Sequence, residues 1–250
     1  MELSSKWLIL ELLLFSHGVA DFVLQSNKMI ENKVTRRWTT YISHFFIVWG
    51  LSVLFLYPFI SWQAGGVLLG LAFTHLVIDW IGYHLTPPHK IDSNPLGFVL
   101  DQLSHLIFIL LAWQWLCHFS HLSSSGFYSE IMTPARIEKL TSVMVVGNVY
   151  LYVVFGGAIF IGKAMRSLPQ EVRKYEITGM GRYIGILERT IILTFILYQA
   201  VTGIAFVLMA KSLTRYQELN NKSFAEYYLI GTLWSTALAL IGGLFFYLCK

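Results

Sequence analysis

Residues 64–85 read AGGVLLGLAFTHLVIDWIGYHL, 22 positions without Lys, Arg or Glu and with one carboxylate, Asp79. A helix needs about 20 apolar residues to cross the hydrocarbon core of a bilayer. This run is long enough, and it carries His75 and Asp79 one helical turn apart inside it. Comparable runs fall near 7–26, 38–60, 95–117, 140–161, 183–210 and 226–249. The expected fold is therefore all-α, a polytopic transmembrane helical bundle of about seven spans. Thr86, Pro87 and Pro88 close the third span, and Ser93, Asn94 and Pro95 supply a cap and a first-turn proline for the fourth. Ser223 and Glu226 have the spacing of a capping box at the start of the last span.

Composition agrees. Of 250 residues 56% are hydrophobic and 13% charged, about half the charged fraction of a soluble domain, and the mean hydropathy is +0.60. Soluble globular, disordered and collagen-like classes are excluded. A net charge of +4 reports basic loops beside anionic lipid rather than a nucleic-acid partner. Cys117 and Cys249 have no spacing that suggests a disulfide or a thiolate metal site. The N-terminus mimics a signal peptide, but Glu11 interrupts its apolar run, so it reads as a retained first helix.

Lys and Arg accumulate on the cytoplasmic side of membrane proteins. The 27–37 loop, the 162–182 loop, Lys90 and Lys250 share one side and hold 11 basic residues, against 6 opposite (Lys6, Arg136, Lys139, Lys211, Arg215 and Lys222). This predicts an N-terminus outside and a C-terminus in the cytoplasm. All 8 histidines precede residue 122. The chain thus divides into a four-span His/Asp-rich unit, 1–121, a linker, 122–139, and a three-span C-terminal unit, 140–250.

Three of the first four spans pair a carboxylate with an imidazole at i,i+4: His17 with Asp21, His75 with Asp79, and Asp101 with His105. At that spacing both side chains share one helix face. The second span adds His44. Measured from the expected cytoplasmic ends, these residues form two layers roughly 8 Å and 14 Å deep. A charge at mid-membrane costs roughly 3 kcal/mol even on the lenient insertion scale, so three aspartates there need compensation. A divalent metal supplies it. Nitrogen and oxygen donors without thiolate favour zinc, with manganese and iron as further candidates. Seven donors exceed one tetrahedral shell, so either two metals bind or some groups orient ligands or act as a base. A proton or ion pathway, or purely structural polar glue, are the plainer alternatives. Cys117, His84, His89, His118 and His121 read as interfacial residues.

The sixth span carries Arg182, Glu188 and Arg189 at one end and Lys211 and Arg215 at the other. An ion pair and snorkelling side chains are the plain reading; the functional one is a grip on substrate or anionic-lipid phosphates. With Lys211 and Arg215 outside, the four cations cannot hold one headgroup unless the helix breaks.

The strings His17, Asp21, Phe22, Gln25, then His75, Asp79, then Asp101, Gln102, His105 resemble an uncharacterised bacterial inner-membrane domain family often encoded beside a SatD-like protein. Leu187-Glu188-Arg189, Lys211-Ser212 with Arg215, and Glu226-Tyr227 followed by Gly231, Thr232 and Ser235 extend the resemblance over nearly the whole chain. It implies a bacterial inner-membrane location and a SatD-like partner. A looser likeness, of His and His-x-x-x-Asp on successive spans, is to predicted membrane-bound metal-dependent hydrolases.

The expectation is a metal-dependent hydrolase acting on a lipid-linked or phosphodiester substrate from the cytoplasmic side. His17, His75, His105 and Asp79 are the foremost ligands, Asp21 and His44 complete or flank them, Asp101 is the candidate catalytic base, and Gln25 and Gln102 orient the set. The rivals are a metal- or proton-coupled transporter and a membrane sensor or assembly protein with a structural metal. Membrane lipids are the expected partners, and a homo-oligomer is an open alternative.

Overall fold

The computed structural model describes residues 3–119, 132–169 and 180–249, and among these there is no strand. Helix α1 (Leu3–Gly18) runs into a π-helical turn, Val19–Leu24; α2 (Asn27–Val34), α3 (Trp38–Leu56), α4 (Trp62–Leu85) and α5 (Pro95–Phe119) follow. Helix α6 (Pro134–Tyr150) passes through a second π-helical turn, Leu151–Gly156, into α7 (Gly157–Arg166); α8 (Met180–Leu197), α9 (Val201–Thr214) and α10 (Lys222–Cys249) complete the chain. Among the described residues, six stretches are long and apolar enough to cross a membrane: Ser5–Leu24, Trp38–Phe59, Trp62–Leu85, Pro95–His118, Pro134–Arg166 and Lys222–Leu248. The protein is an all-helical, multi-pass membrane protein. Its residues divide into two compact units, 1–91 with 96–148, and 92–95 with 149–250. The division falls within the Pro134–Arg166 stretch, whereas most of the expected 122–139 linker lies outside the described residues.

In the first unit, local chemistry sets the helix ends. The Ser26 hydroxyl accepts from the Met29 amide at the start of α2, Ser61 does the same for Ala64 in α4, and α5 begins at Pro95. Apolar and polar contents separate along the bundle. Leu8, Ile9 and Leu13 of α1, Leu56 of α3, Leu68 of α4 and Leu116 of α5 form a core at one end. Every histidine and aspartate of the i,i+4 pairs lies toward the other end of the same helices.

The second unit departs from the expected 183–210 span. The chain breaks at 198–200, where Gln199 takes a left-handed backbone with φ 58, and α9 folds back along α8. The Phe195 ring lies against Gly203, too close to admit a Cβ there, and Lys211 Nζ reaches Glu188 Oε2 at 2.6 Å. The Tyr247 hydroxyl donates to the carbonyls of Ile196, which also accepts from the Gln199 amide, and Leu197, at 3.1 Å each. With 14 residues, α9 is about 21 Å long, short of the ~30 Å hydrocarbon core. Two half-length apolar helices average to the same hydropathy as one long one, and Gln199 is no standard turn residue, so the break has no simple sequence signature.

Close packing of this unit runs through Gly242 and Gly243, where an added Cβ would collide with Val153 and Ile196. The last helix is capped by Asn221, whose side-chain oxygen accepts from the Phe224 amide at 3.2 Å. Ser223, expected at the cap, lies inside α10.

Candidate metal centre

Four helices and one π-helical turn deliver the polar side chains of the first unit to one place. Asp21 projects from the Val19–Leu24 turn, His44 from α3, His75 and Asp79 from α4, and Asp101 and His105 from α5. A π-turn holds one residue more than an α-turn and recurs at functional sites. His17, Asp21, His44, His75, Asp79 and His105 are all buried, and Asp101, at 28% side-chain exposure, is the one that meets the surroundings.

Three donor atoms form a tight triangle. His44 Nε2 lies 3.0 Å from His75 Nε2 and 3.1 Å from Asp21 Oδ1, and His75 Nε2 lies 3.4 Å from that oxygen. Ligands on a tetrahedral zinc, at bond lengths near 2.0–2.2 Å, stand about 3.3 Å apart. The spacing therefore matches three corners of such a shell. Asp79 Oδ2 stands beside this triangle, 3.7 Å from both nitrogens. A looser set adjoins it: His105 Nε2 lies 3.8 Å from Asp79 Oδ1 and 3.7 Å from Asp101 Oδ2. His105 Nε2 and His44 Nδ1 are buried without a hydrogen-bond partner, which is costly for polar atoms unless a ligand satisfies them.

His17 stands one step out. Its Nε2 is 3.8 Å from Asp21 Oδ2 and 3.4 Å from Gln102 Oε1, while the Gln102 amide donates to Asp101 Oδ2 at 3.2 Å. Gln102 thus ties the two ends of the cluster together, as an orienting group should. Gln25 is half-buried and bonds to none of these residues. The seven expected donors are brought together, with Asp21 and His44 at the centre and His17 at the edge.

The sequence reading missed Lys33. It counted as a basic loop residue, yet its side chain is 0% exposed and its Nζ lies 2.5 Å from Asp79 Oδ2. The Tyr41 hydroxyl donates to the Lys33 carbonyl at 3.1 Å, and the ammonium stands 5.7 Å from the centre of the Tyr83 ring. A signal existed: Lys33 shares the inward stripe of α2 with Met29, Ile30 and Val34, while Lys28 and Glu31 face out. A basic residue on the apolar face of a short helix needs a buried counter-ion.

Where the polar cluster ends, a small cavity lined by Ser16, His17, Thr74, His75 and His105 also touches Leu13, Leu71 and Ile109. Beyond it lies the apolar core. Exposed His84 stacks on Trp80, with ring centroids 5.0 Å apart, and His89 and His118 are exposed too. His121 lies outside the described residues.

The second unit holds the other expected site residues in separate contacts. Glu188 and Arg189 are buried, Lys211 bonds Glu188 and also donates to Thr232 Oγ1 at 2.9 Å, and Arg189 Nη2 donates to the Val154 carbonyl at 3.0 Å. That carbonyl belongs to the second π-helical turn. Arg215 pairs with Glu218 at 2.7 Å, and Arg182 is exposed at the start of α8.

A family model described as "Protein of unknown function (DUF3307)" matches residues 9–133, half of the chain. The chain belongs to the DUF3307 family. The DUF3307 segment contains all seven His and Asp donors, Gln25, Gln102 and Lys33, so the candidate centre is a property of the family segment alone. No curated protein and no solved structure matches the chain.

Proposed function

We propose that the DUF3307 segment is a membrane-embedded, metal-dependent hydrolase acting on a lipid-linked or phosphodiester substrate. The triangle of His44 Nε2, His75 Nε2 and Asp21 Oδ1, with edges of 3.0–3.4 Å, carries this reading. Three nitrogen and oxygen donors with a fourth corner left to water is the pattern of a catalytic rather than a structural zinc site; manganese and iron suit the same donors. Bound there, the ion supplies a polarised water. Asp101, the most exposed carboxylate of the cluster, would serve as the base for a water activated there, and Gln102 holds Asp101 and His17 in register. Asp79 flanks the open corner, held by Lys33.

The distribution of polarity favours an enzyme over a metal- or proton-coupled transporter. Transport needs polar groups on both sides of the site, and the far end of this unit is Leu8, Ile9, Leu13, Leu56, Leu68 and Leu116. The basic-residue bias supports a cytoplasmic opening in a bacterial inner membrane, with the N-terminus outside. With α9 folded back along α8, counting Lys211, Arg215 and Lys222 with the cytoplasmic residues and Lys250 with the outer ones would give a bias of 13 against 4. On that count the C-terminus would lie outside, where the unbroken span implies the cytoplasm.

The test is elemental analysis of the detergent-purified protein beside His75→Ala, followed by an assay of phosphodiester and ester hydrolysis on lipid vesicles. A transition metal retained by the wild type, lost in the variant and required for hydrolysis is the expected result. A folded wild type that takes up no metal on titration sinks the reading.

A further inference from the structure

We propose that Lys33 stands in for a second metal ion and keeps this centre mononuclear. The inference rests on the metal reading above. Asp79 presents one oxygen to each of two donor sets. Its Oδ2 faces the triangle of Asp21, His44 and His75, and its Oδ1 faces His105. Asp79, Asp101 and His105 offer three donor atoms within 4.8 Å of one another, and His105 Nε2 has no other partner. A carboxylate shared between two neighbouring donor sets is how hydrolases hold two ions about 3.5–4 Å apart. The geometry of a binuclear centre is therefore present.

The charge is not. Asp21, Asp79 and Asp101 bring three negative charges into a low-dielectric interior. Lys33 supplies one positive charge, and a single divalent ion supplies the remaining two, leaving the cluster neutral. A second divalent ion beside the ammonium would leave two positive charges in excess. Such an excess is expensive in a medium that screens poorly.

The placement of Lys33 supports a role beyond filling space. A lysine in a short helix between two membrane spans ordinarily extends its ammonium toward the headgroups. This one turns inward to full burial, its backbone held by the Tyr41 hydroxyl, and meets Asp79 at Oδ2, the oxygen that faces the triangle, so its charge acts on both donor sets through their shared carboxylate. Removing the charge while keeping the stem leaves a net −1 with one ion bound and halves the excess with two ions from +2 to +1, which makes room for the second.

The experiment is zinc titration of the purified full chain, counting ions per chain for wild type, Lys33→Met and Lys33→Arg. We expect one ion in the wild type, two in Lys33→Met, and one in Lys33→Arg, which retains the charge. Adding Asp101→Asn to Lys33→Met should return the count to one. Two tightly held ions in the wild type overturn the inference whether or not any variant folds, as does one ion in folded Lys33→Met. A wild type that binds no zinc at all defeats the metal reading itself, and the inference with it.

Discussion

His44 Nε2 and His75 Nε2 face each other across α3 and α4 at 3.0 Å, with Asp21 Oδ1 completing the triangle. Two imidazole nitrogens this close either share one proton or face a common cation. Asp21 adds a third electron-rich atom to the same point, which favours the cation.

Loss of a triangle member should therefore abolish metal retention. His44→Ala, His75→Ala and Asp21→Asn are expected to carry no stoichiometric metal, while His84→Ala and His118→Ala retain it. Elemental analysis of the five variants checks this. Equal losses in both groups would show that the metal is held nonspecifically.

Chelation should destabilise the folded protein if the proposed ion binds the native state. At a free metal concentration a thousandfold above Kd the linkage is worth about 4 kcal/mol, or roughly 10 °C in Tm for a chain of this size. Thermal melts in detergent, with and without chelator, measure it. An unchanged Tm in a metal-loaded sample would contradict the cage geometry.

The fold-back at Gln199 brings Arg182 and Arg215 to one face of the membrane. Single cysteines at these positions, in a chain lacking Cys117 and Cys249, should react with a membrane-impermeant reagent from the same side. Labelling from opposite sides would restore a single long span. Gln199→Gly should be tolerated, since glycine adopts a positive φ without strain.

Buried Glu188 and Lys211, whose side chain is 22% exposed, fasten that hairpin. Glu188→Gln or Lys211→Met alone leaves one charge without its partner, a loss of about 1–3 kcal/mol. The double variant should cost less than the two single losses combined. Additive losses in a denaturation series would mean that the two groups act independently.

Gly242 and Gly243 should resist enlargement, at a cost of about 1–3 kcal/mol or more for Gly242→Leu or Gly243→Leu. Gly66 and Gly70 have open space where a Cβ would sit, so leucine there should be near neutral. Melting of the four variants separates the pairs.

Hydropathy made the first four long apolar stretches legible to within two residues, because lipid imposes one length and one composition on any helix that crosses it; it began the last stretch four residues late and clipped Pro134–Arg166 by five or six residues at each end. The i,i+4 pairs exposed the polar cluster for an equally simple reason: helical periodicity is visible without tertiary information. Lys33 was hidden by context. A lysine between two spans looks like a cytoplasmic charge, and only the inward stripe of an eight-residue helix tells otherwise. The break at 198–200 was hidden because window averages do not depend on chain direction. Asn221 displaced the expected Ser223 cap since both lie within one turn of the helix start.

The dry end of the first unit also bears on what the membrane can sustain. A cluster of four imidazoles and three carboxylates is well suited to passing protons from group to group. If it continued through the bundle, it would short-circuit whatever ion gradient the membrane maintains. The leucine- and isoleucine-lined segment beyond Ser16 and Thr74 acts as electrical insulation. It would let the proposed water-dependent chemistry proceed inside an energised bilayer without discharging it.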